Sequence, residues 1–581
     1  TYMAGKWHLG MHGEEKWPLQ RGFERFYGIL AGACSYLRPS GGRGLTLDNT
    51  KLPEPEAPYY TTDAFTDYAI RFVDEQKDDK PFFLYLAFNA PHWPLQAKEE
   101  DIQKLSTILG VSEESINNKL GMSYVKDDTF VPIKNVAKTE NQLKEQALGI
   151  PGVKITTESA RVYTLGKEAS QLIGYVQAIS AEELEENKGK GYNSNSIIGK
   201  AGIEKVYEET LRGKDGKEIY IEDENGKKVK TIAKQEVENG KDVKLTIDAN
   251  KQKQIYESLE ENKGAYVAMD SKTGEIIALV STPSYDSNDF ALGMSTEEWK
   301  NLNEDEKNPL LNRFTKAWSP GSTFKPVTGA IAITEGKINP KEDFGRSGLS
   351  WQKDSSWGSY MVTTLTPYNE PANMQNALIR SDNIYFAKVA LKLGYNKFME
   401  GLNKLGFNED INFEIGTTKS TYDTDGKITD EVQLADSGYG QGQILVNPIH
   451  MASIYSAFVN NGNMIKPTII YEEDKKVEYL KENAISQEAA NTIKEDLIQV
   501  VESPNGTAHD AKIEGVKIGA KTGTAELKAS KDEKGEVLGW FNAFTADESS
   551  ENQLVVVSMI EDANSVGGSH YLFPKVTQLF K

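Results

Sequence analysis

Apolar and polar positions in the second half of the chain fall into two patterns. Ala265 to Asp270 and Glu275 to Ser281 are alternating or apolar runs around a turn at Ser271 to Gly274, which predicts a β-hairpin. Residues 322–336, 373–405 and 446–460 repeat their apolar positions at helical spacing. Strand patterns return at Gly515 to Ala525, Leu538 to Thr545 and Leu554 to Ile560. Strands at both ends with helices between them predict an α+β domain over 241–581, with the terminal strands in one mostly antiparallel sheet.

Upstream the pattern is weaker. Leu105 to Gly110 reads as a short helix, followed by one capped by Ser112 with Glu113 and Glu114 in its first turn. Phe130 to Ile133 and Ile155 to Tyr163 read as strands, Tyr163 to Gly166 with Ala169 to Val176 as the start of a helix, and Gly199 to Glu204 as another helix start. No titratable cluster of catalytic type occurs between 104 and 240, so 103–240 reads as an α+β pedestal. Residues 1–102 differ in character: Pro81 to Phe88 reads as a buried strand in a partial α/β segment, with a junction at Asp101 to Lys104.

Length and charge narrow the function classes. The chain has 581 residues, enough for three or four domains. A formal charge of -20 argues against a nucleic-acid partner, and the Lys/Glu-rich stretches at 182–190 and 214–241 read as solvated. Cys34 is the one cysteine, so no intramolecular disulfide can form. No run of eighteen apolar residues occurs, and the first residues resemble neither a signal peptide nor an anchor. Membrane association is therefore expected only through a segment outside this sequence.

The candidate chemistry centres on Trp318 to Pro326. Pro320 and Gly321 mark a turn into a helix on which Ser322 and Lys325, three apart, share a face, so that the amine can take the hydroxyl proton. Ser123 and Lys126 have the same spacing, and a capping serine beside a surface lysine would produce it too. Order is what discriminates: Ser381-Asp382-Asn383 and then Lys521-Thr522-Gly523-Thr524 follow, and a second Lys-Thr-Gly at 272–274 precedes the serine and reads as a turn. Beyond Ser322 the only histidines are His450, His509 and His570, none in a triad-like setting, so a lysine base suits the site better than Ser-His-Asp. Burial beside Lys521 would lower its pKa. Ser381 and Asn383 can relay a proton and hold an amide, while Lys521 and Thr522 can bind a carboxylate where Gly523 lets a ligand approach. In the first segment, Lys6, His8 and His92 would suit a small oxyanion, against the plainer reading of a tryptophan-rich core with incidental histidines.

The three motifs in this order are shared by penicillin-binding proteins and class A β-lactamases. Over about 104–581 the chain resembles class B penicillin-binding proteins, and most closely the low-affinity type of methicillin resistance. The resemblance is carried also by Asp127 to Pro132, Gly199 to Glu204, Leu279 to Asp286, Trp351 to Asp354, Leu434 to Gly442 and Lys521 to Leu527. It implies a penicillin-binding fold on a dimerisation-type pedestal and a DD-transpeptidase at the extracytoplasmic face of the cell membrane, joining peptidoglycan stem peptides through an acyl-enzyme on Ser322. β-Lactams would acylate the same serine, and the backbone N–H groups of Ser322 and Thr524 would form the oxyanion hole. β-Lactam hydrolysis or β-lactam sensing would use the same motifs.

Residues 1–102 resemble a fragment of the arylsulfatase-type sulfatases, which implies contact of Lys6, His8 and His92 with a sulfate ester. Cys34 to Arg38 has the spacing of that family's formylglycine site, with Tyr36 in place of its proline, and reads as coincidence. No cofactor is expected, calcium entering only were the sulfatase segment complete.

Overall fold

The computed structural model of the protein describes residues 1–77, 80–90, 92, 98–125, 129–224, 226–259, 262–345, 348–424, 426–527 and 535–581. Lys126, Asp127, Asp128, Pro91 and Trp93 to Leu95, used in the sequence reading, lie outside the described residues. The chain divides into two compact units, Thr1–Ala160 with Leu292–Ser295, and Arg161–Ala291 with Thr296–Lys581.

The first unit contains a five-stranded sheet in the order Thr50–Lys51, Leu45–Leu47, Arg25–Ile29, Tyr2–Lys6, Leu84–Ala87. Its last three strands are parallel, and the two hairpin strands at the other edge are antiparallel. The helix Thr61–Asp74 buries Phe65, Ala69 and Phe72, one stripe at i, i+4 and i+7, toward a cluster with Tyr27 and Ile29. Met3, Trp7, Trp17 and Phe26 form a second cluster. The segment expected to be a buried strand is half right. Leu84–Ala87 pairs with Tyr2–Lys6 but is the sheet's edge, and Phe82, Phe83, Tyr85 and Phe88 are exposed. Three helices follow, Glu99–Leu109, Glu113–Leu120 and Asn141–Leu148, around Ile102, Leu109 and Ile116. Ser112 caps the second by accepting from the Ser115 N–H at 3.2 Å. Residues 101–104 lie inside the first. Phe130 to Ile133 and Ile155 to Tyr163 carry no ladder, and no strand among the described residues pairs with them.

The second unit opens on small elements. The helix expected over 169–176 is only Ser170–Ile173, because Gly174 turns the chain with φ 79°, where a Cβ would stand 1.8 Å from the Ala201 carbonyl oxygen. Val176 then begins a strand paired with Ile197–Gly199. Short helices Gly202–Val206 and Glu208–Leu211 follow, and the solvated stretch at 214–241 holds a hairpin, Lys217–Glu222 with Lys228–Gln235, exposed along both strands.

The expected α+β domain follows. Strands β1 (Gly264–Asp270), β2 (Ile276–Thr282), β3 (Ile518–Leu527), β4 (Glu536–Thr545) and β5 (Leu554–Ile560) form an antiparallel sheet in the order β2-β1-β5-β4-β3. Strands from both ends of this domain therefore meet at its centre. Helices α1 (Lys325–Thr334), α2 (Asn383–Leu393), α3 (Pro448–Ser456) and α4 (Gln487–Glu502) belong to one large apolar core with it. The helical pattern over 373–405 is three helices, not one, because the chain breaks at Ser381 with φ 55° and at Gly394 with φ 75°. Asp382 restarts α2 by accepting from the Ile384 N–H at 2.9 Å.

Candidate active site

Ser322 lies in a 3-10 turn, Gly321–Phe324, and the α-helix begins only at Lys325. The sequence reading placed both residues on an α-helix. The tighter turn does the same work better, since three residues per turn set i and i+3 one above the other. Lys325 Nζ lies 2.9 Å from Ser322 Oγ. Gly321 makes the turn fit: its φ is 51°, and a Cβ there would stand 2.2 Å from the Thr524 carbonyl oxygen.

Three separate pieces of chain converge on this turn. Lys325 Nζ donates to the Ser381 carbonyl at 2.6 Å and lies 3.0 Å from Ser381 Oγ. Lys521 Nζ, from edge strand β3, lies 2.9 Å from the same hydroxyl and donates to the Thr522 carbonyl at 2.9 Å. The left-handed conformation of Ser381 aims both its carbonyl and its hydroxyl at the lysines. Ser381 thus bridges two amines that are both fully buried. Neither has an ion-pair partner among the described residues. Burial pushes the Lys325 amine well below its usual range, the Lys521 charge pushes it the same way, and Asp382 opposes. Burial brings Lys521 down to about 7.

The other predicted residues take their places around this core. Asn383 begins α2 and donates its amide to the Thr363 carbonyl at 2.8 Å. Gly523 meets the nucleophile turn so closely that a Cβ would stand 2.9 Å from the Pro320 carbonyl oxygen. Thr524 is exposed beside half-buried Ser322. Lys6, His8 and His92 lie in the first unit: Lys6 ends the strand Tyr2–Lys6, His8 follows it, and His92 follows its parallel neighbour Leu84–Ala87. His8 is exposed with φ 57°, and His92 is tied through its backbone to Tyr36 and Asn89. Cys34 is buried, and burial raises its thiol to about 12, far from a reactive thiolate. Among the described residues no group of three or more His, Cys, Asp or Glu side chains could hold a metal. His450 is a core residue: its Nε2 donates to the Leu405 carbonyl at 2.7 Å, and burial lowers its pKa to about 4.

Two parts of the site went unassigned in the sequence. Thr522 Oγ1 donates to Thr507 Oγ1 at 2.9 Å, and nothing in the Asn505-Gly506-Thr507 turn announces that partner. Gly440 accepts the Gly321 N–H at 3.0 Å. Its φ of 80° and the 2.0 Å from a would-be Cβ to the Gly321 carbonyl oxygen require glycine, and the spacing Gly438, Gly440, Gly442 was the available signal.

A hydroxyl 2.9 Å from one depressed lysine, which Ser381 bridges to a second, is an arrangement that can support acyl transfer through a serine with a lysine base. The family model for the penicillin binding protein transpeptidase domain matches residues 264–581, more than half of the chain, and the chain belongs to that family. The penicillin-binding protein dimerisation domain matches 81–245, and the sulfatase family matches 1–128. Penicillin-binding protein 3 of Bacillus subtilis is 42% identical over 485 residues, covering 83% of this chain and 71% of the relative. The peptidoglycan D,D-transpeptidase MrdA of Haemophilus influenzae is 28% identical over 515 residues, covering 82% and 78%. In a complex of PBP2 with MreC from Helicobacter pylori, the matched chain has the same fold, with a TM-score of 0.67 at 21% identity, covering 83% of this chain and 91% of that one. The protein is a class B penicillin-binding protein and a peptidoglycan D,D-transpeptidase.

Proposed function

We propose that Ser322 is the nucleophile, Lys325 its base, Ser381 the proton relay between the two lysines, Asn383 a holder of the substrate amide, and Lys521 with Thr522 the carboxylate clamp. The observation that carries this reading is the 2.9 Å contact between the fully buried Lys325 amine and Ser322 Oγ, where burial first and the neighbouring Lys521 charge second favour the neutral amine. A neutral Lys325 takes the Ser322 proton as Oγ attacks the D-Ala-D-Ala carbonyl. The proton then passes by way of Ser381 to the leaving D-alanine amine. An amine from a neighbouring stem peptide resolves the acyl-enzyme. Because the Thr524 carbonyl faces Gly321, the Thr524 N–H on the same side of an antiparallel strand also points away from β4, where it and the Ser322 N–H can hold the oxyanion. Gly523 seats the strand edge against the nucleophile turn, where a Cβ would meet Pro320 and Thr323, and so keeps Lys521 and Thr522 beside Ser322.

The same serine is acylated by β-lactams, whose leaving group stays tethered and traps the first half-reaction. Placement in the low-affinity, methicillin-resistance subclass rests on the sequence motifs alone, and slow acylation by benzylpenicillin would be its mark. We assign 1–102 to a sulfatase-like fragment, 103–240 to the pedestal and 241–581 to the transpeptidase domain, working on peptidoglycan stem peptides at the extracytoplasmic face of the membrane. Intact mass after incubation with a penicillin tests the central reading: one adduct on the peptide containing Ser322 is expected. An adduct elsewhere overturns it.

A second reading attaches to the first segment. Lys6, His8 and His92 lie at or just beyond the carboxyl ends of adjacent parallel strands, the place where open α/β sheets take ligands, and would hold a sulfate ester there. Release of a chromogenic alcohol from its sulfate ester tests it.

A further inference from the structure

Asp436 lies in the last turn of the helix Glu431–Ser437 and accepts hydrogen bonds from the hydroxyls of both Tyr360 and Tyr439, on the same Oδ1 atom. The two hydroxyls are 3.4 Å apart. Burial, and then Asp436 itself, raise both phenols above their ordinary range, so they remain donors at any physiological pH.

Each tyrosine is close in sequence to a different wall of the site. Tyr439 precedes Gly440, whose carbonyl accepts the Gly321 N–H at 3.0 Å and the Ser319 hydroxyl at 3.3 Å. With a would-be Cβ at Gly440 only 2.0 Å from the Gly321 carbonyl oxygen, the two backbones have no slack between them. Tyr360 precedes Val362-Thr363, and the Thr363 carbonyl accepts the Asn383 amide at 2.8 Å. One carboxylate oxygen therefore joins the segment behind the nucleophile turn to the segment that holds the amide side of the cleft.

We propose that Tyr360, Asp436 and Tyr439 form a positioning clamp that fixes the Ser322 turn against the Asn383 wall and thereby sets the attack geometry. None of the three touches the reacting atoms. Small displacements of an oriented nucleophile cost large factors in rate while leaving the binding surface intact. The clamp therefore acts on the acylation step and not on ligand capture.

The proposal rests on Ser322 as the nucleophile, and the test separates the two. In the full chain, Tyr360→Phe and Tyr439→Phe keep ring volume and delete one hydroxyl each. Adducts are mapped, and the first-order acylation constant and the prior dissociation constant for benzylpenicillin are measured from the concentration dependence. The expected result is one adduct on Ser322, an unchanged dissociation constant, and acylation slowed about tenfold in each variant. The double variant Tyr360→Phe/Tyr439→Phe should be no slower than Asp436→Ala, because each of these two proteins has lost both hydroxyl bonds to that oxygen. Asp436→Asn keeps an acceptor at that place and should recover most of the rate. If Asp436→Ala does not fold, the two phenylalanine variants carry the test. Wild-type acylation constants in both, or losses confined to the dissociation constant, overturn the clamp. An adduct away from Ser322 would overturn the nucleophile assignment instead.

Discussion

Two five-stranded sheets stand among the described residues, and each comes with residues that sequence motifs marked for chemistry. In the transpeptidase sheet those residues interlock. Ser322, Lys325, Ser381 and Lys521 are joined through contacts of 2.9 to 3.0 Å although they lie up to 199 positions apart (521 minus 322). In the first sheet, Lys6, His8 and His92 share an end of the sheet, and the edge strand with its flanking residues exposes Phe82, Phe83, Tyr85 and Phe88. A motif specifies which side chains are present. A site requires the surrounding fold to hold them, and burial is what depresses the two lysines here.

The comparison breaks most sharply at Ser322. Ser322→Ala should take up no penicillin while keeping the wild-type melting temperature, since only a half-buried hydroxyl is lost; intact mass and calorimetry check this. Any adduct on the folded variant would move the chemistry elsewhere. Lys325→Ala should slow acylation by about 10²–10⁴-fold, the range of a general base, across donors with and without a carboxylate.

Lys521→Ala sharpens the electrostatic side. A lysine below its usual pKa is a base only above its folded value, so acylation should fall as pH drops through that range. The Lys521 charge helps hold Lys325 low, so removing it should raise the Lys325 pKa and move the acid limb of the pH–rate profile to higher pH. It should also cost most with carboxylate-bearing donors. A limb that stays in place, with equal losses on both donor types, would contradict both roles.

Gly321→Ala should destabilise the protein by about 1–3 kcal/mol, because the new methyl meets the Thr524 carbonyl oxygen and φ is positive. Denaturant unfolding measures it. The smallest effect is expected from removing residues 1–98, which leaves the helix Glu99–Leu109 whole: penicillin stoichiometry should stay at one. Loss of labelling in that soluble, folded variant would give the first unit a part in the transpeptidase.

Much of this was legible in the chain. Alternation and helical spacing placed the five strands of the transpeptidase sheet within a few residues, because a strand buried on both faces has few polar positions. The order of the three motifs narrowed the chemistry to acylation of a serine, with transpeptidation, β-lactam hydrolysis and β-lactam sensing all still open on the motifs alone. Less was legible where local pattern and long-range contact disagree. Apolar Pro81 to Phe88 reads as core, yet no further strand covers that edge among the described residues. The 373–405 pattern hides the break at Ser381, whose left-handed backbone makes the lysine bridge and leaves no mark on hydrophobic periodicity.

The sequence by itself determined the kinds of group in the site and the elements that carry them, since residue type, turn chemistry and periodicity are local properties. Only the tertiary structure decided that Lys325 and Lys521 share one hydroxyl in a buried place, that Thr507 meets Thr522, and that Gly440 stands behind the nucleophile turn. Those relations depend on strand register and on the closing of loops between distant segments. They arise from packing the whole core, which no short window of sequence encodes.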